Sequence, residues 1–360
     1  MAKFTALGAH IYAGGFTLGV QAAGFKVLGH LEEWEFGVET VRKNLGLEVR
    51  TPVEKWHAEE FKGRVDFLYC NPPCASWSAA GIKVKDKETR NVKRYLHDGR
   101  TQCTELCFTL IPTVQPTVFV WESVAAAMKN GIDFVMDQAA LVQKQGYHVY
   151  LVLFNGADCG LPQTRKRFFF VASKVRIDFK APAVPRTTVR QAWRVLKGKI
   201  GEQPKTRKDL VNLLRKMPKG ASGVIAKYFM KAWKGREDEM PRNPKTGHVA
   251  GRPGFLHQRI PWDGLSPTVT GGQHLYHPDE PRSLTPLEQQ VLCGYPPDYE
   301  FTGGATAKYA QMAKAVLPPA GEWLARQVLA GLKKNVRIKP GVTKHDFINR
   351  ITTPPSQEAA

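Results

Sequence analysis

Short apolar blocks punctuate the first 175 residues, and between them apolar positions recur every three or four residues. The blocks Phe4 to Leu7, Lys26 to His30, Val65 to Cys70, Thr117 to Trp121, His148 to Phe154 and Arg167 to Ala172 are rich in β-branched and aromatic residues, which predicts strands. The intervening Thr17 to Ala23, Gly37 to Leu45, Thr101 to Thr113 and Ile132 to Gln145 carry helical periodicity. Strands alternating with helices predict an α/β fold, a mainly parallel sheet covered by helices on both faces. In such sheets ligands gather at the carboxyl ends of the strands.

From 176 to 260 the texture changes. Lys, Arg and Pro become dense, as in Lys205-Thr206-Arg207-Lys208 and Arg215 through Lys219, with Trp193, Tyr228, Trp233 and Phe255 interspersed. Positive charge among aromatics suits phosphates and unstacked bases, so this stretch is expected to be a small nucleic-acid-facing domain. Residues 261–332 are expected to return to the first domain and end in a helix from Gly321 to Lys333, leaving 333–360 as a basic tail of doubtful order. Net charge reinforces the partner: 52 Lys and Arg against 32 Asp and Glu give +20, which a dense polyanion such as a nucleic acid would balance. No apolar stretch reaches the ~18 residues that a membrane span needs. The N-terminus shows no cleavable signal pattern, and the six cysteines do not form a disulfide framework, so a reducing cytoplasm is expected. Cys103 and Cys107 lie one helical turn apart without a second pair at zinc-ribbon spacing, so no metal site is expected. Nothing marks an oligomer, and a monomer is the expectation.

The most informative chemistry lies in Phe67-Leu68-Tyr69-Cys70-Asn71-Pro72-Pro73-Cys74. Proline cannot continue a sheet ladder, so the strand stops there and holds a thiol on a stiff turn. This loop resembles the nucleophile loop of the DNA cytosine-5 methyltransferases. The resemblance continues in order: Glu122-Ser123-Val124 is similar to the family's Glu-Asn-Val, Gly160 through Arg167 to its Gln-x-Arg-x-Arg element, and Arg282 through Glu288, with Gly294-Tyr295-Pro296-Pro297-Asp298, to its late Arg-x-Leu-Thr-x-x-Glu segment.

The resemblance implies a Rossmann-like class I methyltransferase sheet, a target-recognition domain at 176–260, and double-stranded DNA as partner. It implies that Cys74, as a thiolate, attacks C6 of a cytosine flipped from the duplex. Glu122 would bind N3 with a pKa raised by burial, and Arg165 and Arg167 would present donors to the base O2 and nearby anions. A basic loop from Gly81 to Gly99 would close over DNA. A methyl group from S-adenosylmethionine would then be placed on C5.

The cofactor site implied by the resemblance comprises His10, Ile11, Tyr12, Ala13, Gly14 and Gly15, with Glu32 or Glu33 at the ribose, Glu54 at the adenine, and Pro73, Lys314, Ala315 and Val316 completing the lining. It departs from the family pattern. Gly14 and Gly15 keep the tight turn, but His10 replaces a phenylalanine, Tyr12 a glycine and Lys314 an asparagine. An ammonium ~4 Å from a sulfonium in a partly screened site would cost on the order of 4 kcal/mol. Lys314 would therefore turn away, mark an inactive site, or pair with an anionic cofactor such as carboxy-S-adenosylmethionine, which would make the product carboxymethylcytosine. Two further readings keep the same residues: an RNA cytosine-5 transferase, and a DNA-binding pseudoenzyme without chemistry. Bacterial or phage origin fits either.

Overall fold

The computed structural model describes residues 4–78, 99–218, 221–232, 234–240, 249, 253–254 and 256–348. The expected basic loop from Gly81 lies outside the described residues up to 98, as do Lys219, Trp233 and Phe255. Strands β1 (Thr5–Ala9), β2 (Lys26–Leu31), β3 (Val49–Arg50), β4 (Phe67–Cys70), β5 (Val118–Val124), β6 (His148–Asn155) and β7 (Lys166–Ser173) share one sheet with β11 (Gly341–Asp346), in the order β11-β6-β7-β5-β4-β1-β2-β3. All pairings are parallel except those of β7, which runs antiparallel between β5 and β6. Among the described residues no helix is long and apolar enough to cross a membrane.

Strand pleating sorts the apolar blocks onto two faces. Phe67 and Tyr69 of β4, Val118 and Val120 of β5, and Phe169 and Val171 of β7 join one buried cluster, packed against the helices Gly15–Ala22 and Pro318–Lys334. Their alternates Leu68 and Cys70, Phe119 and Trp121, and Phe168 and Phe170 join another, packed against Arg100–Val114 and Ile132–Lys144. Burial on both faces explains why these strands read as continuous apolar runs.

A smaller three-stranded sheet unites β8 (Gly223–Val224), β9 (Gln258–Arg259) and β10 (Leu275–Tyr276) beside the amphipathic helix Lys208–Lys216. Its third strand lies beyond the 176–260 bounds expected from composition. Residues 333–348 also differ from the expected tail, whose remainder, 349–360, lies outside the described residues. Gly341–Asp346 pairs with β6 along the strand, from Gly341 opposite His148 to Asp346 opposite Leu153. As an edge strand it covers alternate positions only in part and exposes the others, and its sequence therefore lacks the apolar run that marks the inner strands.

Candidate active site

The carboxyl ends of β4 and β5 set the site. Asn71 continues from β4 by donating its backbone N–H to Ala9 O at 3.1 Å, and the two prolines then end the ladder. Cys74 stands half-buried at the start of the turn that follows, where its carbonyl accepts from Trp77 N. Glu122 is buried within β5. One carboxylate oxygen accepts from Asn71 Nδ2 at 2.9 Å, and the other pairs with Arg167 Nε at 3.1 Å. Cys74, Glu122 and Arg167 thus share one neighbourhood: the thiol feels the charges of Glu122 and Arg167, and the carboxyl that of Arg167.

Burial dominates the electrostatics. It pushes the Glu122 carboxyl above its ordinary value, with Arg167 and Arg165 pulling the other way. It also raises the Cys74 thiol, helped by Glu122 and opposed by Arg167 and Arg165. The site therefore favours a neutral thiol beside a carboxyl that holds its proton unusually well.

Arg165 and Arg167 face the same way along their segment but have different partners. Arg165 is buried, and its guanidinium donates to the carbonyls of Ala313 at 2.6 Å, Ala315 at 3.2 Å and Val269 at 3.4 Å. Gln163 adds bonds to Leu292 O and from Val269 N. This element therefore ties the start of β7 to three segments distant in the chain, at Val269, Leu292 and Ala313 to Ala315, while of the two arginines Arg167 alone pairs with the buried carboxylate. The late segment is similarly structural. Thr285 and Glu288 form a capping box at the helix Pro286–Leu292, and Arg282 grips both oxygens of Glu288 at 2.8 Å.

Asn71 escapes a sequence reading because it looks like part of the proline turn. It holds the site together: Nδ2 binds Glu122, and Oδ1 accepts the Val316 N–H at 2.9 Å. Asn71→Ala would leave a buried carboxylate oxygen and a buried N–H without these partners. It is expected to lower unfolding free energy by about 2–3 kcal/mol, measured by urea denaturation; a loss near zero would remove Asn71 from this role.

The loop after β1 adopts an unusual conformation. Gly14 takes a left-handed φ of 71° at the start of the helix Gly15–Ala22. A Cβ on Gly15 would collide with Val316 O and Tyr295 Oη, so close approach requires glycine there. Ile11 and Ala13 are fully buried beside them. His10 and Tyr12 also have positive φ, 51° and 49°, although neither is glycine. Glu32 holds this loop: it accepts from Tyr12 N at 2.7 Å and from Glu33 N and Trp34 N at 2.9 Å. Burial lifts its carboxyl to about 7, against those three bonds. With both Glu32 oxygens engaged, Glu33 offers the exposed carboxylate, one oxygen of which lies 3.9 Å from His10 Nδ1. Glu54 is exposed beyond β3, and Pro73 is half-buried beside Cys74.

Lys314 ends the helix Ala305–Lys314, next to the buried Ala315 and Val316. Its Nζ lies 4.3 Å from the Trp34 ring centroid and 5.6 Å from that of Tyr12. Lys314 is exposed; desolvation lowers its pKa, with the charges of Glu32 and Cys74 pulling the other way, and its ammonium rests on the Trp34 ring.

Comparison with known proteins finds DNA methyltransferases. The chain is 26% identical over 330 residues to the type II methyltransferase M1.HphI of Haemophilus parahaemolyticus, covering 88% of this chain and 84% of that one. It is equally identical over 353 residues to M.MthTI of Methanothermobacter thermautotrophicus, covering 89% and 96%. Among solved structures, a prophage-encoded DNA modification methyltransferase from E. coli shares the fold with a TM-score of 0.64 at 20% identity, over 92% of this chain and all of that one. The family model for C-5 cytosine-specific DNA methylases matches residues 10–330, and the chain belongs to that family.

Proposed function

We propose that Cys74 and Glu122 together activate a cytosine extruded from double-stranded DNA for methylation at C5. The observation that carries this reading is a buried carboxyl with a raised pKa, fixed by Asn71 and Arg167 beside a half-buried thiol. Cys74 gives its proton to solvent and the thiolate forms a bond to C6, the C5–C6 electron pair moves to C5, and N3 takes the Glu122 proton. S-adenosylmethionine, which the family uses, supplies the methyl group to C5. Loss of the C5 proton and elimination of Cys74 restore the aromatic base. Arg167 holds Glu122 in place and would be the arginine nearer the base edge; Arg165 fixes the surrounding segments by donating to the carbonyls of Val269, Ala313 and Ala315. An edge-on approach to a stacked base is blocked, so the base must leave the helix. The region 176–260, continued by β10, is the proposed DNA-reading unit, supported by its Lys and Arg density.

The residues present fit a nucleoside cofactor. The left-handed Gly14 turn opens a helix, the exposed Glu33 carboxylate has a second oxygen, besides the one near His10, for ribose hydroxyls, and Trp34 offers an aromatic face. Formation of a covalent, denaturation-resistant adduct on 5-fluorocytosine DNA tests the main reading. No adduct in the presence of cofactor would leave the pseudoenzyme reading, and preference for transfer RNA in a competition would favour the RNA reading.

Lys314 supports a second reading. Its ammonium faces the site on the Trp34 ring, where a carboxylated sulfonium cofactor would find a counter-ion and an unmodified one a like charge. Lys314→Asn is expected to bind S-adenosylmethionine on the order of tenfold more tightly, a screened fraction of the Coulomb cost. Calorimetry checks this. Mass spectrometry of nucleosides from DNA treated with each donor then decides between methyl and carboxymethyl product.

A further inference from the structure

We propose that His10, Glu33 and Cys103 form a binding site for a divalent transition-metal ion of the zinc class. The three residues come from the loop after β1, the loop after β2 and the first turn of the helix Arg100–Val114, and no spacing in the sequence connects them. Their ligand atoms all lie within 4.8 Å of one another. Four-coordinate zinc with these atom types places neighbouring ligand atoms about 3.3–3.6 Å apart, so small side-chain movements close the set. His10 Nδ1 is already 3.9 Å from Glu33 Oε1.

A second observation points to a ligand. The His10 ring is 2% exposed, its Nε2 has no hydrogen-bond partner among the described residues, and its Nδ1 is too far from Glu33 for a hydrogen bond. A buried imidazole normally satisfies its polar nitrogens, and this one is left with a lone pair to offer. Burial holds it neutral, with a pKa near 4, which is the form that binds metal. Burial and the Glu33 charge raise the Cys103 thiol to about 11. An incoming dication reverses that balance, and Cys103 releases its proton to solvent as the metal–sulfur bond forms. One nitrogen, one carboxylate oxygen and one thiolate suit zinc or cobalt(II) and leave a fourth position open. The ion would fasten both loops to the helix that carries Cys103.

Cobalt(II) titration of the metal-free full-length chain tests the site without any cofactor. The expected result is one ion per chain with a thiolate-to-cobalt charge-transfer band, displaced by zinc, kept in Cys74→Ser and lost in Cys103→Ser. Absence of saturable binding, persistence of the band in Cys103→Ser, or its loss in Cys74→Ser would overturn the proposal. Alkylation of the unmutated chain gives a readout that does not depend on a variant folding. Zinc should slow labelling of Cys103 and leave that of Cys74 unchanged by peptide mass spectrometry; equal labelling of Cys103 with and without zinc argues against the site.

Discussion

Cys74→Ser is expected to slow methyl transfer by at least about 10³-fold while leaving the fold intact. The substitution exchanges one atom at a half-buried turn, so it opens no cavity. The chemistry changes far more. A hydroxyl is much harder to ionise than a thiol, and among the described residues nothing near Cys74 acts as its base: Glu122 raises its pKa, and the two arginines can only moderate the effect of burial. Loss should fall on kcat, with DNA affinity nearly unchanged, because phosphate contacts elsewhere supply most of the binding. Single-turnover kinetics and trapping on 5-fluorocytosine DNA check both parts. A serine variant that retained a tenth of the activity, or still formed the covalent adduct, would assign the nucleophile elsewhere.

Much of this site was legible in the sequence because strand ends and prolines are strong local signals. The apolar runs ending at Cys70 and Trp121 sit side by side as β4 and β5, Phe67 opposite Val118 through Cys70 opposite Trp121. That register alone carries Cys74 and Glu122 to one edge. Other features depend on partners distant in the chain. Arg165 and Arg167 look equivalent by alternation, yet one binds carbonyls more than 100 residues away and the other a carboxylate on the neighbouring strand. Glu32 and Glu33 were interchangeable until the loop after β1 claimed both oxygens of Glu32. Tyr12 looked like a plain loss of glycine, whereas it keeps the left-handed backbone that glycine would have supplied, buried against Trp34 at 5.8 Å. The strand at Gly341–Asp346 was hidden because an edge position needs only half an apolar pattern.

Glu122→Gln is expected to reduce kcat by about 10³-fold, within the usual range for removing a positioned proton donor. The amide keeps the size of the carboxyl and can still accept from Arg167, but it cannot pass a proton to N3. It also sets its NH₂ group against Asn71 Nδ2, donor to donor. Asn71 could relieve this only by rotating its amide, which would forfeit the bond from Val316 N, so stability should fall by about 1–2 kcal/mol. The pH dependence carries the more specific signature. Because burial raises the folded-state pKa of Glu122, its contribution to stability is present below the unfolded value and is lost as pH rises through the folded one. Activity follows the same direction on that side: it should fall as Glu122 ionises, while deprotonation of Cys74 produces a rise with pH. The parent enzyme therefore gives a bell, and Glu122→Gln should lose the descending limb and keep the ascending one. Measuring kcat/KM across pH for both proteins decides the matter. An unchanged descending limb in the variant would mean that some other group donates the proton at N3.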